Sequence, residues 1–268
     1  MEYRELGKTG EKISTIGMGT WHFGTYSDQE GRDVEVAALR RGMELGINLI
    51  DTAEIYSGGK SEEVVGEAIK GVRDKLFIAT KVAQGHLHHD EVVAACKASL
   101  KRLGTSYIDL YQVHWPDPKT PIKETMSAME GLVKDGLIRY IGVSNFSVHE
   151  TEDARTALSK DDVASNQVEY SLQNRGVESE ILPYCGREKV TLIAYSPLAR
   201  GQISDSVSPS ILQKYHLTPA QVMLNWVTRD AQVVAIPKSV HSPRMEENAK
   251  SVDVRFDPGD YDRISAGH

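Results

Sequence analysis

An aspartate, a lysine and a histidine recur at one kind of place in this chain, the end of a short apolar run. The run 47–51 ends on Asp51, and Tyr56 follows it within Asp51-Thr52-Ala53-Glu54-Ile55-Tyr56; the run 76–81 ends on Lys81 and the run 108–114 on His114. Any one of these alone reads equally well as a strand cap or a surface pair. Three titratable groups at equivalent ends of successive runs do not read as packing. Together with Tyr56 they form a set that delivers a proton to a carbonyl oxygen. A phenol of ordinary pKa, about 10, is a weak acid at neutral pH, and a neighbouring ammonium lowers that pKa towards the working range. Lys81 is expected to supply the charge, Asp51 to hold Lys81 charged and oriented, and His114 to donate the hydrogen bond that polarises and positions the substrate oxygen. The reaction then needs a nucleophile. Hydride from a nicotinamide is the natural candidate, because no serine, cysteine or metal cluster stands at the remaining run ends.

The elements that must position these groups follow from periodicity. Apolar runs of strand length at 15–19, 47–51, 76–81, 108–114, 140–144, 163–168, 190–195 and 233–237 alternate with amphipathic stretches such as Val36, Leu39, Met43 and Ile122, Met126, Met129, Val133. This alternation is the α/β pattern, and no linker or low-complexity tract divides it, so residues 1–268 are expected to form one (β/α)8 TIM barrel domain. A doubly wound sheet is the runner-up; against it, Gly17, Gly19 and Gly24 lack the G-x-G-x-x-G spacing. Ahead of the first strand, residues 3–6 and 12–16 flank a turn at 7–10, and this N-terminal β-hairpin is placed to close the bottom of the barrel. Ser147 with Glu150 resembles a capping box, and Thr218-Pro219 opens another helix.

Composition narrows the class further. The 268 residues are 40% apolar and 26% charged, with 31 Lys and Arg against 38 Asp and Glu, a formal charge of −7 that disfavours nucleic acid as a partner. No apolar run is long enough to span a membrane, and Met1-Glu2-Tyr3-Arg4-Glu5 is no export signal, so a cytoplasmic protein is expected. Cys96 and Cys185 lack any metal or redox spacing, and Cys96 falls in register with Val92, Leu100 and Leu103 as a core residue. The charged runs 33–41 and 70–75 read as solvated faces. His86, His88 and His89 read as a polar loop, no metal being called for.

The motifs taken together resemble the aldo-keto reductase family over nearly the whole chain. Gly19-Thr20-Trp21 is similar to its opening motif, and Asp51, Tyr56, Lys81 and His114 match its catalytic tetrad. Ser144 and Asn145, in Gly142-Val143-Ser144-Asn145-Phe146, together with Gln167, match the residues that bind the nicotinamide carboxamide. Tyr195-Ser196-Pro197-Leu198 resembles the segment whose aromatic stacks on the ring, with the loop through Gly201 wrapping the pyrophosphate. Ile236-Pro237-Lys238-Ser239 followed by Arg244, Glu247 and Asn248 is similar to the adenosine-phosphate site.

The resemblance implies an NADPH/NADP+ site drawn from these segments, with Gly19, Thr20, Trp21 and Asp51 contributing and Lys238 and Arg244 clamping a 2′-phosphate. It implies reduction of aldehydes and ketones to alcohols and leans towards a monomer. A short loop after the seventh strand and a short tail imply an open pocket of broad tolerance, lined by Trp21, His22, Tyr26, Tyr56, His114 and Trp115. Two rival readings are a nicotinamide-holding sensor with slow turnover and a metal-assisted barrel hydrolase built on His86, His88 and His89.

Overall fold

Strand-length runs buried at every position belong in a parallel sheet covered on both faces. Phe77–Val82 and Ile108–Val113 are such runs in the computed structural model, which describes residues 1–26, 28–202 and 207–266. Ten strands form among the described residues: β1 (Tyr3–Glu5), β2 (Lys12–Ser14), β3 (Met18–Gly19), β4 (Leu49–Asp51), β5 (Phe77–Val82), β6 (Ile108–Val113), β7 (Ile138–Ser144), β8 (Val163–Glu169), β9 (Thr191–Tyr195) and β10 (Val233–Ala235). Strands β3 to β10 pair in parallel in sequence order, and bridges Ile16–Ala235 and Gly19–Lys238 close the last on the first. The expected eight-stranded barrel is therefore present. Its first strand is shorter than the run 15–19, because the chain there closes the barrel through single bridges. At Gly19 a Cβ would lie 2.7 Å from the Ile236 carbonyl oxygen, so the seam closes only over a glycine.

The helices are α1 (Gln29–Glu44), α2 (Lys60–Ala68), α3 (His89–Leu103), α4 (Ile122–Lys134), α5 (Val148–Ala157), α6 (Ile181–Glu188), α7 (Pro209–Tyr215), α8 (Pro219–Val227), α9 (Ser242–Lys250) and α10 (Pro258–Ala266). Both anticipated starts are formed. The Ser147 hydroxyl accepts from the Glu150 amide, and Thr218 caps α8 against Gln221. Cys96 is fully buried among apolar neighbours, and burial pushes its thiol pKa up to about 12. The run 33–41 departs from expectation. Its Glu35 is fully buried, since the β3–α1 loop lies across that turn of α1 and covers it.

The barrel interior begins apolar. Leu49, Phe77, Ala79, Leu110, Ile193 and Val234 pack there with Leu6 and Ile13, so the β1–β2 hairpin plugs the end from which the parallel strands start. Towards the opposite end the inward positions turn polar, with Asp51, Lys81, Gln112, Ser165 and Gln167 all buried. A buried polar layer persists only if its members satisfy one another. This one forms the floor of a cavity.

Candidate active site

The polar layer is organised around one carboxylate. Asp51 Oδ1 accepts from Lys81 Nζ at 2.6 Å, and Oδ2 accepts from Gln167 Nε2 at 2.8 Å and Gln112 Nε2 at 3.4 Å. The ammonium also donates to the Thr52 carbonyl at 2.8 Å. Lys81 is completely buried. Burial opposes its charge, but Asp51 and Tyr56 outweigh that penalty and its pKa is raised. A hydroxyl chain holds the strand ends together: Ser61 Oγ donates to Thr20 Oγ1 at 2.8 Å, and Thr20 Oγ1 donates to the Asp51 carbonyl at 2.9 Å.

Tyr56 stands above this layer because the chain turns through three left-handed residues after it, Ser57, Gly58 and Gly59, with φ of 50°, 63° and 91°. Glycines at two of the three make the turn accessible. The Lys81 ammonium lies 5.1 Å from the Tyr56 ring centre, and the His114 ring meets Tyr56 edge-on with centroids 5.7 Å apart. The expected lowering of the phenol pKa is corrected here. Burial dominates and raises it, Lys81 pulls it down, and Asp51 adds to the rise. The phenol thus keeps its proton at neutral pH, as a proton donor would need, with a cation beside it that would favour a phenolate.

His114 is buried, and burial together with the Lys81 charge depresses its pKa to about 3. It is neutral throughout the working range. Its Nδ1 is buried without a partner, while its carbonyl accepts from Asn145 Nδ2 at 3.0 Å. An exposed imidazole protonates near pH 6.5, so between that value and about 3 the unfolded chain binds more protons than the folded one. The stability contributed by neutral His114 is complete above the unfolded value and is lost as pH falls through the window. Urea unfolding at pH 7 and pH 5 is expected to differ by about 2 kcal/mol more in the wild type than in His114→Gln.

The phenol and imidazole open into one cavity of about 800 Å³. Tyr56, His114 and Asp51 line it, whereas Lys81 lies behind them. All the residues expected to hold cofactor border the same space: Gly19, Thr20 and Trp21 on one side, Ser144, Asn145 and Gln167 on the floor, Tyr195 to Leu198 with Gly201 on the next wall, and Ile236, Lys238, Ser239, Arg244, Glu247 and Asn248 at the far end. Ser144 Oγ donates to the Gln167 carbonyl at 2.9 Å, and Tyr195 OH donates to Asn145 Oδ1 at 3.0 Å. Gln167 is engaged with Asp51 as well, so the floor and the acid–base set are one network.

The far end suits a phosphate. Lys238 and Arg244 are both exposed, neither has a carboxylate in ion-pair contact among the described residues, and Arg244 disfavours the charge of Lys238. Two cations side by side without a directly paired carboxylate, at the end of a cavity floored by amide and hydroxyl groups, match the donor set that a phosphorylated dinucleotide needs. Backbone strain concentrates around the cavity too. Of eight non-glycine residues with positive φ among the described residues, six (His22, Ser57, Asn145, Ser196, Ala199 and Arg200) stand in its loops.

Trp21 and Trp115, each about half exposed, rim the tyrosine end with His22 and Ile55. Tyr26 does not join them; it lies against Gly31 at the start of α1. The loop beyond Gly201 falls partly outside the described residues. Sequence reasoning missed Arg200, which borders the cavity; the signal available was its position as the one cation between Tyr195 and Gly201. It also missed Gln112, hidden inside an apolar run. The histidine loop turns its imidazoles to separate carboxylates, His86 to Glu54, His88 to Glu124 and His89 to Asp90. That scatter is not a ligand geometry.

The sequence and the fold have close counterparts. The aldo/keto reductase family model matches residues 15–267. Methylglyoxal reductase YeaE of Escherichia coli is 39% identical over 263 residues, spanning 96% of this chain and 92% of that protein. Glyoxal reductase of Bacillus subtilis is 40% identical over 262 residues, with 96% and 90% covered. An aldo-keto reductase from Klebsiella pneumoniae solved in complex with NADPH superposes with a TM-score of 0.92 at 36% identity, covering 99% of this chain and 95% of that one. The chain therefore belongs to the aldo/keto reductase family, as an NADP(H)-dependent oxidoreductase acting on carbonyl compounds.

Proposed function

We propose that this chain reduces a broad range of small aldehydes and ketones to alcohols, 2-oxoaldehydes of the methylglyoxal type among them, with Tyr56 as the proton donor. The observation that carries the proposal is the Tyr56 phenol, beside both the Lys81 ammonium and the neutral His114 ring, facing the cavity whose far end holds Lys238 and Arg244. Bound NADPH supplies the hydride. The chain's own residues do the rest. His114, with Nδ1 buried and unpartnered, keeps its ring proton on Nε2 and donates to the substrate oxygen. Tyr56 gives that oxygen its proton, and Lys81, held by Asp51, stabilises the phenolate left behind. Ser144, Asn145 and Gln167 would hold the carboxamide, Tyr195 would stack on the ring, and Ser196, Pro197, Leu198 and Gly201, joined by Arg200, would hold the pyrophosphate, all of them lining the cavity. Glu247 and Asn248 read the adenine, and Gly19, Thr20, Trp21, Ile236 and Ser239 complete the walls.

The half-exposed indoles of Trp21 and Trp115 offer apolar contact without enclosing the substrate, which favours small and varied carbonyls. Residues 1–268 act as one domain, as a monomer in the cytoplasm without nucleic acid; the net charge of −7 supports the last point. No described helix is long and apolar enough to cross a membrane. Reduction of methylglyoxal, glyoxal, an aromatic aldehyde and a sugar, each followed by NADPH consumption, tests the substrate class. Turnover of several is expected; turnover of one alone would contradict breadth, and of none would overturn the proposal. Lys238→Met is expected to weaken NADPH binding about 10- to 100-fold and to leave NADH unaffected, as read by fluorescence titration.

A further inference from the structure

Glu35 has no place in this chemistry, yet it is the least expected charge in the molecule. It lies on α1, is fully buried, and uses only one of its oxygens: Oε2 accepts from the Gly24 amide at 2.8 Å, while Oε1 is buried without a partner. Gly24 has φ of +75°, and a Cβ there would lie 2.6 Å from Lys60 Cβ, so the β3–α1 loop is clasped between α1 and α2. Phe23, the residue before Gly24, is buried beneath the cavity end, and the Lys238 ammonium lies 5.7 Å from its ring centre. Glu35 holds Gly24 and Lys238 stands over Phe23, so adjacent residues of one loop carry the two charges, and each favours the other's charged form.

A carboxylate moored under a phosphate clamp works against the phosphate twice over. It attracts the lysine away from the ligand, and it repels the ligand's own charge through a medium that screens less than water. We infer that Glu35 sets the strength of cofactor binding as an anion built beneath Lys238, attenuating affinity for the 2′-phosphate and so separating NADPH from NADH by less than the clamp alone would. The inference rests on the proposed placement of that phosphate at Lys238 and Arg244. Glu35 is a positioning residue, acting through Lys238 and through the field it casts.

The charged groups around Glu35 are Arg32 on its own helix and Lys238 from the segment after β10, with Arg244 on α9 beyond Lys238, while Lys60 backs Gly24 with its main chain and Cβ. Glu35 is the carboxylate among these cations, so it is the group whose charge acid removes. Burial raises its pKa, opposed by the Gly24 hydrogen bond and by Lys238 and Arg32. Acidification therefore neutralises the attenuating charge in the wild type.

The test is titration of NADPH and NADH binding to the wild type, Glu35→Gln, Glu35→Asp, Lys238→Met and the Glu35→Gln/Lys238→Met double variant. Gln preserves volume and an acceptor for the Gly24 amide, so the loop stays moored. Glu35→Gln is expected to bind NADPH about three- to tenfold more tightly with NADH unchanged. The gain should shrink as pH falls, should be largely lost without Lys238, and should be reversed by Glu35→Asp, which restores the charge. Unchanged NADPH affinity in Glu35→Gln, with Lys238→Met still weakening it, would overturn the inference and leave the cofactor site standing. Equal weakening of both cofactors would reduce Glu35 to a loop anchor. No effect of Lys238→Met would remove the phosphate site itself, and the inference with it.

Discussion

Replacing Tyr56 by Phe is expected to lower kcat/KM for carbonyl reduction by about 10²- to 10⁴-fold while leaving the dissociation constant of NADPH within about twofold of the wild type. The ring remains, so its contacts with His114 and Lys81 persist; the only group removed is the hydroxyl proposed to give up its proton in the transition state. Loss in kcat/KM without loss in cofactor affinity is the signature of an interaction realised during reaction rather than on binding. A variant that keeps full activity would take the proton from elsewhere and remove Tyr56 from the mechanism. Because the wild-type phenol holds its proton through neutral pH, the rate should not fall on account of Tyr56 until the medium is alkaline.

The second large effect is expected at Lys81. Its side chain is wholly inaccessible and gives hydrogen bonds to Asp51 and the Thr52 carbonyl. Lys81→Met leaves a buried carboxylate with only the amides of Gln167 and Gln112 to compensate it, and breaking a buried pair from one side costs about 3–5 kcal/mol. Urea unfolding at neutral pH measures that loss, and activity should fall at least as far as in Tyr56→Phe. Adding Asp51→Asn should restore part of the stability, because the stranded charge is gone, and none of the activity, because nothing then stabilises the phenolate. A Lys81→Met protein as stable as the wild type would contradict the cost assigned here to breaking the Asp51–Lys81 pair.

What the sequence makes legible is what local pattern controls. Asp51, Lys81 and His114 could be placed together because each ends a run of strand length, and parallel strands in sequential order bring their ends to one face. The Ser147 and Thr218 starts were equally local. Glu35 was not legible: on an amphipathic helix its position reads as solvent, and only the loop folded over it makes it core. Gln112 was hidden for the opposite reason, since a polar residue inside an apolar run declares itself inward only when the register to Lys81 and Gly142 is known. The direction of the Tyr56 shift was misjudged because the helpful ammonium is a single near neighbour, whereas burial is a property of the whole cavity. Tyr26, expected to line the open pocket, is carried away from it by the left-handed turns at His22 and Gly24.

The most direct measurement is to mix the protein with NADPH and methylglyoxal, follow loss of the nicotinamide absorbance, and quantify the alcohol formed in the same sample. One alcohol for each NADPH consumed, with both processes slowed together in Tyr56→Phe, is the result expected of a carbonyl reductase working through this tyrosine. Tight NADPH binding with no alcohol formed from methylglyoxal or any other carbonyl would contradict it, leaving a nicotinamide-holding barrel whose tyrosine, lysine and histidine do no chemistry.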